Sequence, residues 1–281
     1  TRTENDGELI LPDIAESIKE NNEKKSITTD DIEGIGMGVP GPVKDDGTVL
    51  KCVNLGWGVF NVEKALSVIC GGVKVKAGND ANVAALGEMW QGGGKGYEDV
   101  VMITLGTGVG GGIIRGGKIV AGTNGAAGEI GHMPMIDDES ECCGCGKKGC
   151  LEQYASANGL VNVAEKYIAA HRTVETELDL NAGFTAKDVC DAAKAGDKAG
   201  LAAVEESMRL LGKAMASVSC VIDPQVFVVG GGLSKAGNII IDTASKYYKE
   251  YAFHASRETE IKLATLGNAA GMYGGVKMVI G

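Results

Sequence analysis

The sequence has no uninterrupted apolar run approaching ~18 residues, so it offers no membrane-spanning helix. Its opening, TRTENDGELILPD, has no basic stretch leading into an apolar one, so it does not read as a secretory signal. Positive charge is scarce: 27 lysines and arginines stand against 37 aspartates and glutamates, for a net charge of −10. A surface of that balance repels phosphate backbones and anionic lipid, so neither nucleic acid nor a membrane is expected as a partner. Short-period repeats and low-complexity linkers are missing too. The expectation is a cytoplasmic globular protein.

What is present is 281 residues with 44% hydrophobic content, enough for one large domain or two ordinary ones around a sizeable core. Helical spacing runs through Ile10–Lys24. A short strand enters a Gly/Pro turn within Ile32–Val43. Val73–Trp90 reads as strand, break and helix. Asp99–Gly122 reads as strand, glycine loop and a hairpin turning at Gly116–Gly117. Gln153–Ala170, Ala186–Ala195 and Ala199–Ile222 read as helices. Gln225–Ser234 is again a strand ending in glycines before a helix, and NAAGMYGGVKMVI is a small-residue helix suited to close packing. Strands alternating with helices argue an α/β fold.

Glycine, at 44 residues, gathers in short loops after apolar strands. LGTGVGGG (Leu105–Gly112) lets the backbone approach a ligand and aim successive N–H groups at an anion, with the Thr107 hydroxyl beside them. A triphosphate suits it; a tight hairpin is the plainer reading. No Gly-Lys-Ser/Thr follows, which excludes a P-loop. VVGGGLS (Val228–Ser234) repeats the arrangement at a helix start. Two such loops in one chain suggest a nucleotide held between them. AGNDANVAALGE places Asn79 and Asp80 between strand and helix, where the helix dipole favours a carboxylate. Asp80 can take a proton from a hydroxyl attacking phosphorus. On the residues alone, a simple N-cap weighs more.

Half of the eight cysteines lie in ECCGCGKKGC (Glu141–Cys150). In a reducing cytosol, clustered cysteines bind metal or do redox work more often than they form stable disulfides. With GEIGH (Gly128–His132) just upstream, His132, Cys143, Cys145 and Cys150 supply four soft or borderline donors, the number a structural zinc ion takes. Cys142 is a spare that can compete with Cys143, and disulfide and redox readings stay open. A rigid zinc loop would fix Glu129, Glu152 and the free nitrogen of His132, groups suited to polyol hydroxyls. Cys52, Cys70, Cys190 and Cys220 sit in apolar surroundings and are expected in the core.

Taken together, LGTGVGGGI, GAAGEIGH and CGCGKKGCLEQYAS resemble the ROK family of bacterial sugar kinases and repressors, above all its zinc-containing glucokinases. The resemblance runs from about Ile35 to Gly281. It implies the α/β, actin-like ATPase (ribonuclease H-like) fold of two lobes: a small lobe of 1–85 plus 269–281, and a large lobe of 86–268 with the zinc loop and nucleotide site. It implies Asp80 as general base and Gly41, Asn79, Glu129, His132 and Glu152 at the sugar. It places zinc on His132, Cys143, Cys145 and Cys150. Gly106, Thr107, Gly108, Gly110, Gly111 and Gly112 fall to the ATP phosphates, and Gly231 and Gly232 to the adenosine. ATP with Mg2+ would phosphorylate glucose or a related hexose, and a homodimer or homotetramer is implied. Family members open with a strand and an Asp-x-Gly-Gly-Thr loop; nothing of the kind occurs here, so the small lobe is expected to lack its first strands. The alternatives are a kinase for N-acetylmannosamine, N-acetylglucosamine or fructose, and a sugar-sensing regulator. Regulators carry a helix-turn-helix that this chain does not show, and the acidic charge opposes DNA binding.

Overall fold

The computed structural model describes residues 2–281. In chain order the elements are α1 (Ile10–Lys25), β1 (Ile35–Val39), β2 (Thr48–Val49), β3 (Phe60–Asn61), α2 (Val62–Ile69), β4 (Val75–Asn79) and α3 (Asp80–Gln91). There follow β5 (Val100–Leu105), β6 (Val109–Arg115), β7 (Lys118–Ile119), α4 (Glu152–Ala155), α5 (Ala157–Ala170) and α6 (Ala186–Lys194). The last are α7 (Lys198–Ile222), β8 (Val226–Gly230), α8 (Asn238–Tyr251), β9 (Glu260–Leu263) and α9 (Ala270–Ile280). Residue contacts gather into two units. The first takes the chain up to Glu98, then Gly112–Gly128 and Asn268–Gly281; the second is Asp99–Gly111 and Glu129–Gly267. The stretches 1–85 and 269–281 fall within the first unit, which also holds 86–98 and 112–128.

In the first unit, β1 and β4 pair in parallel from Ile35 opposite Val75 to Val39 opposite Asn79. Ile10, Leu11, Val39, Val43, Trp57, Val62, Leu66 and Val75 close a core over this pair. Each such side chain contributes about 1.5–3 kcal/mol by leaving water. α3 and α9 meet through glycine: a methyl group on Gly274 would stand 1.7 Å from the Val83 carbonyl oxygen, and one on Gly87 would stand 2.0 Å from that of Ala270. Only a bare backbone permits that approach. The β6–β7 turn runs through Gly116 and Gly117 at φ of 54° and 72°. Those are the two positive angles of the tight hairpin turn that glycine favours.

In the second unit, β5, β8 and β9 lie side by side in parallel. Every residue of β8 is buried, and so are all of β5 except Thr104. That explains their continuous apolar sequences: a parallel strand covered on both faces has no solvent side to encode. α7, 25 residues long, starts where Asp197 accepts the Gly200 N–H at 2.9 Å and buries Met208, Leu210, Leu211 and Met215. Tyr248 is fully buried against Phe227, rings 5.5 Å apart and near edge-on, and its hydroxyl donates to the Ser256 carbonyl at 2.6 Å.

Two expectations need correction. The helix read across Gln153–Ala170 is broken: Ser156 is extended and its hydroxyl caps α5 by accepting from Gly159 N–H at 2.9 Å. Of the four cysteines assigned to the core, Cys52 and Cys190 are buried, Cys70 is half-buried and Cys220 is exposed near the C-terminal end of α7. No helix among the described residues is long and apolar enough to cross a membrane.

Candidate active site

At the β4–α3 junction the strand ends on Asn79 and the helix begins on Asp80. Asn79 does the capping. Its Oδ1 accepts from the N–H groups of Ala81 and Asn82 at 3.0 and 3.1 Å. Its Nδ2 donates to the Gly41 carbonyl at 3.2 Å, which ties this junction to the turn after β1. Gly41 holds φ at 133°, a conformation that favours glycine. With the cap supplied by its neighbour, Asp80 stands exposed, and its Oδ1 accepts the Ala81 N–H at 2.8 Å. Asn79 also lines a cavity of about 740 Å³ with Lys44, Asn82, Trp90, Tyr97 and Lys118.

The cysteine loop forms a second group, in the other unit. The ligand atoms of His132, Cys143, Cys145 and Cys150 all lie within 4.8 Å of one another. The Cys145 and Cys150 sulfurs are 3.6 Å apart, and Cys143 Sγ is 3.7 Å from His132 Nδ1. A disulfide would need about 2.05 Å. Zinc bonds of about 2.3 Å to sulfur and 2.0 Å to nitrogen give tetrahedral edges of roughly 3.5–3.8 Å. The donor set therefore fits zinc, with all four positions filled by protein. Burial pushes the Cys143 and Cys150 thiols up, whereas the Lys147 N–H holds Cys145 down, toward the thiolate that a metal takes.

Two carboxylates border this cluster. Glu152 Oε1 accepts from the Cys143 thiol at 2.8 Å and lies 3.7 Å from His132 Nδ1. Glu129 Oε2 lies 3.9 Å from His132 Nε2, the nitrogen turned away from the sulfurs. Glu129, His132 and Glu152 thus form one polar patch beside the four donors. Hydrogen-bond acceptors at fixed spacing are what a polyol needs.

The third group surrounds a cavity of about 550 Å³, also in the second unit. Gly106 and Thr107 line it from the loop after β5, and Gly232 and Lys235 from the turn after β8. The loop is fixed by the Ala157 N–H, which donates to the Gly106 carbonyl at 2.8 Å. Gly231, at φ of 88°, packs so closely that a methyl group would stand 2.5 Å from the Leu105 carbonyl oxygen, which locks the ends of β5 and β8 together. Gly108 lies beside Glu152. Gly110, Gly111 and Gly112 are strand residues of β6. Gly112 packs against Ala81 and Ala85 of α3.

Sequence reasoning missed the far wall of this cavity: Lys187, Cys190, Asp191 and Lys194 of α6. The charges at 187, 191 and 194 recur at helical spacing and were the available signal. Burial pushes the Cys190 thiol up to about 11, so it lines the cavity as an apolar group.

The sequence model of the ROK family matches residues 1–281. A glucokinase of Halalkalibacterium halodurans is 40% identical over 279 residues, covering 98% of this chain and 84% of that protein. A glucokinase of Streptomyces coelicolor is 37% identical over 252 residues, covering 87% and 79%. Among solved structures, a ROK family glucokinase from Streptomyces griseus in complex with glucose and AMPPNP is 32% identical with a TM-score of 0.73, covering 95% of this chain and 87% of that one.

Proposed function

The chain belongs to the ROK family, and on that footing we propose that it is an ATP-dependent hexose kinase, a glucokinase that converts glucose and ATP to glucose 6-phosphate and ADP. Its fold is the two-lobe, actin-like ATPase fold of ROK kinases. The relatives named glucokinase support the substrate. The observation that carries the chemistry is at the β4–α3 junction: Asn79 supplies the cap and leaves Asp80 a carboxylate with an oxygen to spare.

In this reading Asp80 accepts the proton of the 6-hydroxyl as that oxygen bonds to the γ-phosphorus. The bond from phosphorus to the β,γ-bridging oxygen breaks, and ADP leaves with its electron pair. Asn79, Glu129, His132 and Glu152 orient the sugar. The loop from Gly106 takes the phosphates and the turn at Gly231–Gly232 the adenosine. Bound zinc would supply rigidity to His132, Cys143, Cys145 and Cys150, and Mg2+ bound with ATP would offset phosphate charge. A cytoplasmic location belongs to this reading, in keeping with the glucokinase relatives. Assembly as a homodimer or homotetramer belongs to the same reading.

The test is ADP release with ATP, magnesium and a panel of hexoses. Glucose-dependent release is the expected result. Release with an N-acetylated hexose or fructose in preference to glucose would reassign the substrate, and glucose binding with no release would point to a sugar sensor.

A further inference from the structure

α4, the turn that carries Glu152, is four residues long and has no side-chain cap. A single helical turn does not hold its own geometry. Its orientation is set by what grips it. Leu151 and Ala155 are fully buried, and the Leu151 N–H donates to the Met133 carbonyl at 2.9 Å. On the metal side, Glu152 meets Cys143. On a helix, Tyr154 points about 200° around from Glu152, so it leaves the opposite face. There its hydroxyl donates to Glu139 Oε2 at 2.5 Å.

Glu139 is well placed to act as an anchor. Only 6% of its side chain is exposed. Its other oxygen accepts the Glu141 N–H at 3.0 Å, and Lys166 of α5 lies 3.2 Å away. Gln153 adds a second strap by bridging the Glu141 carbonyl and the Cys150 N–H, both at 3.0 Å. None of these contacts involves a metal donor's ligand atom.

We propose that Glu139 is a positioning residue for sugar recognition, which fixes the turn bearing Glu152 through the Tyr154 hydroxyl independently of the zinc clip. The proposal rests on the reading that Glu152 binds sugar hydroxyls. Glu152 is then held from two faces, by the cysteine loop and by the Glu139–Tyr154 pair. Loss of either grip lets the carboxylate drift while Asp80, in the other unit, is untouched.

Glucose KM, kcat and zinc content of the whole chain are compared for wild type, Glu139→Ala, Tyr154→Phe and Glu139→Gln, with Glu152→Gln as the reference. Glu139→Ala and Tyr154→Phe are expected to raise glucose KM by roughly 10-fold, the weight of one charge-assisted hydrogen bond. In both, kcat should stay within about 2-fold and zinc stay stoichiometric. Glu139→Gln keeps an acceptor for Tyr154 and should recover most of the affinity. Unchanged KM in the first two variants, with KM raised in Glu152→Gln, overturns the positioning role alone. Unchanged KM in Glu152→Gln removes the sugar role of Glu152, and the proposal falls with it. Zinc lost together with affinity in Glu139→Ala overturns the independence from the clip.

Discussion

A methyl group on Gly108 would stand 2.7 Å from Glu152 Oε2. The glycine loop assigned to phosphate and the carboxylate assigned to sugar therefore share one boundary inside the second unit, and the space of a single Cβ separates them. Because the obstructing atom is the far end of a side chain, it can swing away where a backbone atom could not.

Gly108→Ala is accordingly expected to cost little stability, about 1 kcal/mol or less by the usual scale of overpacking relieved by a rotamer change. Its glucose KM should rise by roughly 10-fold, as one hydrogen bond to a charged group is lost. Thermal unfolding and steady-state kinetics on the same preparation check this; a large fall in Tm with unchanged KM would show that the backbone moved instead.

Asp80→Asn should lower turnover by roughly 10²-fold or more while glucose still binds, because the amide keeps the shape and loses the basicity. Asn79 retains the cap, so the helix start should survive. Turnover within a few-fold of wild type would reject Asp80 as the base.

Cys145→Ser removes one of four donors that lie within 4.8 Å of one another. Zinc content should fall and glucose affinity should fall with it, since Glu152 borders the same cluster. Elemental analysis that still finds stoichiometric zinc would reject this donor set.

Much of this site was legible because its chemistry is local in sequence. Cys143, Cys145 and Cys150 fall within eight consecutive positions, and the glycine loops sit at the ends of continuous apolar strands. The junction at Asn79 and Asp80 was legible in place but not in division of labour: two adjacent residues can each cap, and the fold gives that task to Asn79. What stayed hidden is long-range or short. Glu139 and Tyr154 are fifteen positions apart, and no periodicity links them. Ser156 lies inside an unbroken helical pattern, and its break is set by a hydroxyl that prefers capping to continuing. β9 has four residues, too few for alternation to declare a strand.

The acid limb of stability should carry a signature from Glu139. Its carboxyl is held down from 4.5 to about 2, chiefly by the Tyr154 hydroxyl and then by the Glu141 N–H and Lys166. A depressed carboxylate contributes fully above its unfolded value and loses that contribution as pH falls through the folded one. The stability gap between wild type and Glu139→Gln should therefore be constant above about pH 5 and shrink between there and pH 2. Tyr154 is pushed up by burial and by Glu139, so it stays a neutral donor throughout. A gap that does not change across that window, in stepped-pH melts, would reject the assignment.

Gly274→Ala should destabilise far more than an exposed helix substitution, by about 3 kcal/mol or more if the helices must part. The obstacle is the Val83 carbonyl oxygen at 1.7 Å, which no rotamer can move. A change in Tm of only a degree or two would mean that α3 and α9 slide without penalty.

That glycine seam has a consequence for synthesis. α3 leaves the ribosome early, but α9, which it receives through Gly87 and Gly274, follows all of the second unit in the chain. The first unit therefore keeps a glycine-lined helix face uncovered until the residues that follow the second unit have been made. The part of the molecule that is made first is thus finished last, and that interval is when a chaperone would find it.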